Sequence, residues 1–589
     1  MLLEGAIDFD QLRQELSDHV VDGPRERYHL DWPGKREALL AANAPIAKTF
    51  RPDRSTSVEF DRTKNLFFEG DNLEALKLLQ ETYLNRVNVI YIDPPYNTGN
   101  QFLYDDDFFE DANAYMARSM QKDDQGVRLV ANTEANGRRH SDWLSMMMPR
   151  LRLARNLLSD DGTIFISIDD NEVGNLRKIC DQVFGEDNFV GTIVWQKRYV
   201  SNVTARWLSD MHDFILIYAR HKERVSFTSW KRTEEQLEAY KNPDNDPRGN
   251  WRAQDLSASK PYSAGLFRIT GPTGNLFDPP PNRYWRCNEK QFRDWVQDNR
   301  IWWGINKDAR PMLKSFLSES QRGITPHTWW DYSFAGHNKE ATLELKALFD
   351  GNAPFDTPKP VRLMRRLLEL VPANDALVLD FFAGSCSLAH AVMELNASDG
   401  GTRRHIMIQV AEPCDEASEA YKAGYRTIAD VGRERIRRAG KTIKKELGLR
   451  GDTLDVGFRV LKVDTSNMKD VYYQPDAVKQ ETLAGQVDNV KEDRTDEDLL
   501  FQVLLDWGVD LTLPITPEKI NGKTVYFVDT NALAACFEPG INEAFIKELA
   551  KRKPLRAVFR DNGYGSDATK INVEQIFKLL SPATEVKSI

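Results

Sequence analysis

The chain contains no apolar run of about 18 residues, so nothing in it is long and apolar enough for a membrane-spanning helix. Its first residues, MLLEGAIDFDQLRQEL, lack a basic region followed by an apolar stretch; no secretory leader and a cytoplasmic location are therefore expected. Cysteine is scarce. Cys180, Cys287, Cys386, Cys414 and Cys536 are odd in number, widely scattered and never spaced as CxxC, which excludes a disulfide framework and a zinc cluster. Internal repeats and low-complexity tracts are missing too, which excludes solenoid and collagen-like architectures. An excess of positive charge is also lacking, with a net charge of -10. The charge is unevenly spread, however. From Trp195 to Trp330 there are 22 Lys and Arg against 15 Asp and Glu, a local +7 that leaves -17 for the remainder. One basic segment sits inside an acidic chain.

What is present is the balance of a globular protein, 41% hydrophobic and 29% charged, over 589 residues, more than one ordinary core can hold. Residues 1–60 carry mixed helical patterning and read as an N-terminal arm. From Asn65 short apolar runs (NLFFEG, VNVIYID, GTIFISID, DFILIYA) alternate with amphipathic stretches such as NLEALKLLQETY, the texture of an α/β doubly wound parallel sheet. Residues 195–355 interrupt it with ten of the thirteen Trp and turn clusters such as NPDNDPRGN, and read as an insertion. The α/β texture resumes over 356–450 with a helix in KPVRLMRRLLELV and strands in ALVLDFF and HIMIQVAE. A further α/β region, with LLFQVLLDWGV and TVYFVD, fills 451–589.

The most informative segment is VNVIYIDPPYNTG, in which an apolar strand delivers Asp93, Pro94, Pro95 and Tyr96 to its carboxyl end, where open α/β sheets bind ligands. A given tetrapeptide arises by chance in on the order of one chain in a few hundred of this length. An aromatic amine is a poor nucleophile because its lone pair is delocalised into the ring. A carboxylate at Asp93 and a carbonyl at Pro94 can accept the amino protons and localise that pair. The two prolines keep the carbonyl rigid, and Tyr96 offers a face on which an extruded base can stack.

DPPY followed much later by a glycine-containing turn resembles the amino-group DNA methyltransferases of the permuted β order, in which the catalytic half precedes the cofactor half. The resemblance implies a Rossmann-like sheet, S-adenosylmethionine as cofactor and methyl transfer to adenine. It implies that the turn in VLDFFAGSCSLAHAVMEL, with Asp380, Phe382, Ala383, Gly384, Ser385 and Cys386, cradles the cofactor. The family pattern there is FxGxG, and Cys386 replaces its second glycine. Its Cβ stands where positive φ or close approach is expected, with weaker cofactor binding as the consequence. By the same resemblance Glu412, ending HIMIQVAE, binds ribose hydroxyls and Asp71 in FFEGDNLEAL lies near the adenine ring. Lys359 and Pro360 match a helix-start motif that closes over the methionine moiety. Asp71 and Glu412 could equally be helix caps, and Pro360 an ordinary first-turn proline.

From about residue 60 onward the chain is similar to the modification subunits of type III restriction systems, notably in WLSMMMPRLRLARNLLSDDGTIFISIDD, GITPHTWWDYSFAGHNKEATLELKALF and FRDNGYGSDATKINVEQIFKLL. That likeness implies a methyltransferase catalytic half at 61–194, a target-recognition insertion at 195–355, a cofactor half at 356–450 and a dimerisation or partner-contact region at 451–589. It also implies double-stranded DNA as substrate, a homodimer, and a helicase-nuclease restriction subunit as partner. Basic side chains in the insertion suit phosphate neutralisation and base reading; most of its Trp are expected to build a core. No metal is expected, because His212, His337 and the acidic run Asp105, Asp106, Asp107 lack ligand spacing and sulfonium chemistry needs none. A cytosine amino methyltransferase, a stand-alone modification enzyme and a catalytically weak DNA-recognition subunit remain as alternatives.

Overall fold

Strands rich in Val, Ile, Leu and Phe with no polar alternation can be buried on both faces, and this chain pairs ten strands into one mixed sheet. The structure, a computed structural model, describes residues 2–3, 6–7, 30–98, 134–230, 232–319, 323–469 and 489–589. In chain order the strands are β1 (Lys48–Pro52), β2 (Leu66–Glu69), β3 (Val87–Ile92), β4 (Leu158–Ile168), β5 (Phe189–Gln196), β6 (His212–Ala219), β7 (Trp329–Trp330), β8 (Leu377–Asp380), β9 (Arg404–Gln409) and β10 (Arg459–Thr465). They lie in the order β7-β5-β6-β4-β3-β8-β9-β2-β10-β1, with only β6 and β1 antiparallel to their neighbours.

The connecting helices are α1 (Asn72–Tyr83), α2 (Glu134–Leu157), α3 (Val173–Phe184), α4 (Asn338–Leu348), α5 (Val361–Leu370), α6 (Ser387–Asp399) and α7 (Ile428–Leu447). The crossovers β2-α1-β3 and β3-α2-β4 step along the sheet in one direction, whereas β8-α6-β9 and β9-α7-β10 step in the other. With right-handed connections the two sets of helices cover opposite faces, which is the doubly wound arrangement. The direction reverses between β3 and β8, although these neighbours lie some 290 residues apart in sequence, Val89 facing Val378 and Ile90 facing Leu379. The sheet is therefore permuted in the sense expected from the sequence.

Three boundaries differ from the sequence reading. Residues 48–52, inside the supposed N-terminal arm, form edge strand β1. Residues 459–465, assigned to the C-terminal region, form β10 beside it. The separate inserted body is residues 227–327 and not 195–355. The flanking parts of that Trp-rich stretch supply β5, β6 and β7, and their Trp195 and Trp330 are fully buried in the main unit. Arg459 ties the two chain regions together: its guanidinium donates to the carbonyls of Phe60 (2.6 Å), Leu511 (2.6 Å) and Leu513 (3.0 Å).

Beyond α8 (Asp496–Asp506) the chain forms a second, five-stranded sheet from β11 (Ile515–Ile520), β12 (Lys523–Val528), β13 (Leu533–Cys536), β14 (Arg556–Phe559) and β15 (Glu585–Ser588), in sequence order. Helices α9 (Glu543–Ala550) and α10 (Asp567–Leu580) pack on it over Phe527, Phe545, Phe559 and Phe577. The inserted body has a small core of Leu256, Ile269, Trp285, Cys287, Phe292 and Ile301. Its three-stranded antiparallel sheet orders Ile301–Trp302, Met312–Phe316 and Trp251–Asp255. Much of its basic charge is spent internally: Arg248, Arg268, Arg283, Arg300 and Lys314 each pair with an Asp or Glu of the same body. Among the described residues no helix is long and apolar enough to cross a membrane.

Candidate active site

The strand order reverses between β3 and β8, and the carboxyl ends flanking such a reversal form a crevice in an open α/β sheet. Asp93 to Tyr96 leave the end of β3, and Asp380 to Cys386 leave the end of β8. The sequence-predicted catalytic and cofactor segments are thus neighbours in space, and the two carboxylates interact: burial, helped by the charge of Asp93, pushes the Asp380 carboxyl far up.

Asp93 is half-buried. Its Oδ2 accepts from Lys359 Nζ at 2.5 Å, while its Oδ1 is buried. The buried Tyr96 hydroxyl lies against the Asp93 carboxylate, and Lys359 Nζ lies 5.1 Å from the Tyr96 ring centroid. Trp143 Nε1 donates to the Pro95 carbonyl at 2.7 Å and fixes the turn from beneath. Its exit is fixed by Asn97, at φ 58, whose amide donates to the buried Glu172 carboxylate; Glu172 also binds His140 and Asn175. Asn tolerates this left-handed conformation better than other non-glycine residues. Lys359 reaches the site because α5 begins at Val361, whose N–H donates to Glu344 Oε2 of α4 (3.1 Å).

The turn after β8 is built from its own amides. Asp380 Oδ1 accepts from Phe382 N (2.9 Å), Gln409 Oε1 from Gly384 N (2.7 Å) and the Ala383 carbonyl from Cys386 N (2.7 Å). Gly384 has φ 50, and a Cβ there would come within 3.1 Å of Phe355 Cζ. Cys386 is also left-handed (φ 59, ψ 40), the conformation expected for the missing glycine, at a cost of roughly 1–2 kcal/mol. Its thiol is fully buried against α7 at Gly432, where any Cβ would sit 2.9 Å from the Cys386 sulfur. From α7 the buried Arg435 donates to the hydroxyls of Ser385 (2.9 Å) and Ser387 (2.7 Å).

The other expected cofactor residues divide. Both oxygens of Asp71 are engaged within the protein, one capping α1 through Glu74 N (3.0 Å) and one accepting from Arg150 (3.2 Å). Glu412, three residues beyond β9, is half-buried with no side-chain partner among the described residues, and burial pushes its carboxyl up. His337 caps α4, accepting from Glu340 N at 2.9 Å; His212 begins β6. The acidic run at 105–107 lies outside the described residues. Sequence reasoning missed Asp213, Trp143, Glu172, Asn72, Arg435 and Gly432. The nearly buried Asp213, its carboxyl pushed up by burial, bonds Lys197 and feels the charges of Lys359 and Asp93. Asn72 reaches the Phe381 carbonyl at 2.7 Å. No motif marks these residues; each is an ordinary letter of a helix or strand until pairing brings it to the crevice.

The DNA methylase family model matches residues 87–414, which span β3, the insertion and the turn after β8. The StyLTI Mod subunit of Salmonella typhimurium, a type III restriction-modification enzyme, is 36% identical over 75% of this chain and 68% of its own. The EcoPI Mod subunit of Escherichia phage P1 is 30% identical over 99% of this chain and 94% of its own. The chain belongs to the DNA methylases, among type III modification subunits. Of solved structures, the PvuII DNA methyltransferase (cytosine-N4-specific) overlaps 64% of this chain and 94% of its own at 12% identity and a TM-score of 0.29.

Enzymes of this family take their methyl group from S-adenosylmethionine. The crevice of this methylase fits such a ligand: a Glu412 carboxylate without a side-chain partner among the described residues suits hydroxyls, the turn at Gly384 carries no Cβ there, and Asp93 Oδ1 and the Tyr96 hydroxyl are buried with room for further polar contacts.

Proposed function

We propose that this methyltransferase modifies adenine, attaching the methyl group to the exocyclic nitrogen of a base extruded from double-stranded DNA. We further propose that this type III modification subunit also recognises the target sequence, works as a homodimer and is joined by a helicase-nuclease subunit. The observation that carries the catalytic reading is the Asp93 carboxylate at the end of β3: Lys359 holds Oδ2, and Oδ1 is buried with the Tyr96 hydroxyl as its polar neighbour among the described residues.

The cofactor supplies a methyl group activated on a sulfonium. The chain's residues prepare the acceptor. Asp93 Oδ1 takes one amino proton in a hydrogen bond. The Pro94 carbonyl takes the other; the neighbouring Pro95 carbonyl is already occupied by Trp143. With both protons held, the nitrogen lone pair leaves conjugation and points out of the ring plane. Asp93 would stabilise the positive charge that methylation leaves on the amine nitrogen, whose surplus proton would then pass to Asp93 or to water. Tyr96 packs the base with the exposed face of its partly buried ring. The turn from Asp380 to Cys386, with Glu412, holds the cofactor, and Lys359 neutralises Asp93 until substrate arrives. Asp rather than Ser at the head of the tetrapeptide supports adenine over cytosine.

The test is transfer of labelled methyl from S-adenosylmethionine to unmethylated bacterial DNA, followed by digestion to nucleosides. Label in methyladenosine is expected. Label in methylcytosine would overturn the base assignment, and retained DNA binding without transfer would favour a recognition subunit without activity.

A further inference from the structure

The connection between β5 and β6, residues 197–211, is unusual for an ordered loop. Val203, Trp207 and Leu208 are 96%, 83% and 92% exposed. Single exposed apolar residues are common, but several large ones on one loop mark an interaction site. The loop is firmly built. Buried Lys197 bridges Asp210 (2.6 Å) and Asp213 (2.7 Å) at its base. Asn202 makes a tight turn with Thr204 (2.7 Å), and Ser209 Oγ accepts from Asn202 N (2.7 Å). Tyr199 stacks on His337 at 4.9 Å. The exposed apolar groups are therefore presented by an ordered scaffold.

Its place in the sheet gives it a partner. β6 runs antiparallel to β4, so the pairs Trp195–Asp213 and Gln196–His212 close the hairpin at the same edge to which β3 delivers Asp93. β6 stands two strands from β3, about 10 Å away at the usual strand spacing. The loop carries exposed Arg198 and Arg206 without an acidic partner among the described residues, and the Arg206 guanidinium lies 5.0 Å from the Trp207 ring. Unpaired arginines beside bare apolar groups, at the edge that must receive an extruded base, match the phosphates flanking an opened stack.

We infer that loop 197–211 is a wedge that enters the duplex beside the target base. Trp207 and Leu208 fill the opened stack while Arg198 and Arg206 hold the neighbouring phosphates. This rests on the base-extrusion reading above.

The test compares the native protein with W207A/L208A, whose altered side chains are exposed and leave the fold intact. Once label transfer has mapped the site, a duplex with 2-aminopurine at the target position reports extrusion by fluorescence. The variant is expected to lose most of the fluorescence rise and at least about tenfold in methylation rate on matched DNA. Cofactor affinity should be unchanged. A duplex in which the target adenine is mispaired, and so already cheap to open, should restore most of the rate. Equal fluorescence and equal rates for native and variant would overturn the wedge and leave the methyltransferase reading intact. So would a loss that mispairing does not rescue, which would point to a protein partner or a purely structural loop. No transfer by the native protein would overturn both.

Discussion

Lys359 does not wait at a distance for a ligand; its ammonium is bound to Asp93. A half-buried carboxylate stripped of its counter-charge is costly, and a lone ammonium in the same place is costly too. Lys359→Met and Asp93→Asn should therefore each destabilise the fold, whereas the double variant should recover part of the loss. A coupling of about 1–2 kcal/mol is expected from urea denaturation of the four proteins; additive effects would mean that the pair is not formed in solution. Activity separates the two roles. Asp93→Asn should abolish methyl transfer while DNA affinity persists, because the amide lacks the charge that stabilises the developing cation. The importance of Asp93 was readable from DPPY. Its pairing with Lys359 was not, because 266 positions separate them and only the β3–β8 contact brings them together.

The turn after β8 and the helix α7 behind it act as one element. Cys386 keeps the left-handed backbone that glycine would have adopted, and its thiol occupies space left by Gly432. Gly432→Ala would press a methyl onto the Cys386 sulfur at 2.9 Å and the Gly384 carbonyl at 3.0 Å. Such overpacking typically costs about 1–3 kcal/mol, and its relief by shifting the turn should weaken cofactor binding about tenfold or more. Cys386→Gly in the same chain should restore much of that affinity, measurable by calorimetry. An unchanged affinity in Gly432→Ala would show that the turn does not depend on this packing. The sequence exposed the departure at Cys386 but not its compensation, since Gly432 lies in an unremarkable helix. Arg435 was equally hidden: in GRERIRR it looks like a solvated charge, yet burial lowers its guanidinium to about 10. Next to it Glu344, which receives the first N–H of α5, is pushed by burial to about 7, with the charge of Arg435 opposing and those of Glu340 and Glu394 assisting. The unfolded chain ionises Glu344 at lower pH than the folded one, so its contribution to stability is present in acid and is lost as pH rises towards 7. Glu344→Gln, which can still accept the Val361 N–H, should gain stability over the native protein between pH 5 and pH 8; a constant difference across that range would contradict the shift.

At the scale of the whole molecule, the sheet texture was legible because parallel strands buried on both faces read as unbroken apolar runs, and DPPY marked the carboxyl edge. Domain limits were not, because composition cannot tell a tryptophan in a strand of the main sheet from one in a separate core. Trp195 and Trp330 belong to the former, Trp251 and Trp285 to the latter. The body at 227–327 begins and ends on a backbone bridge, Trp230 with Ile324, paired by hydrogen bonds of 2.9 and 2.8 Å. Chain ends held that close allow excision with little loop-closure strain. Replacing residues 231–323 by a short Gly/Ser linker should leave β1 to β10 and their helices folded, since every strand of the main sheet lies outside the excised segment. If the excised body reads the target sequence, the shortened protein should bind S-adenosylmethionine as the native one does. Its methylation of DNA should be slow and spread over many sequence contexts, as single-molecule sequencing of its products would record. Methylation confined to the native site would place recognition elsewhere in the chain. Loss of cofactor binding in a folded product would show that the insertion also supports the crevice.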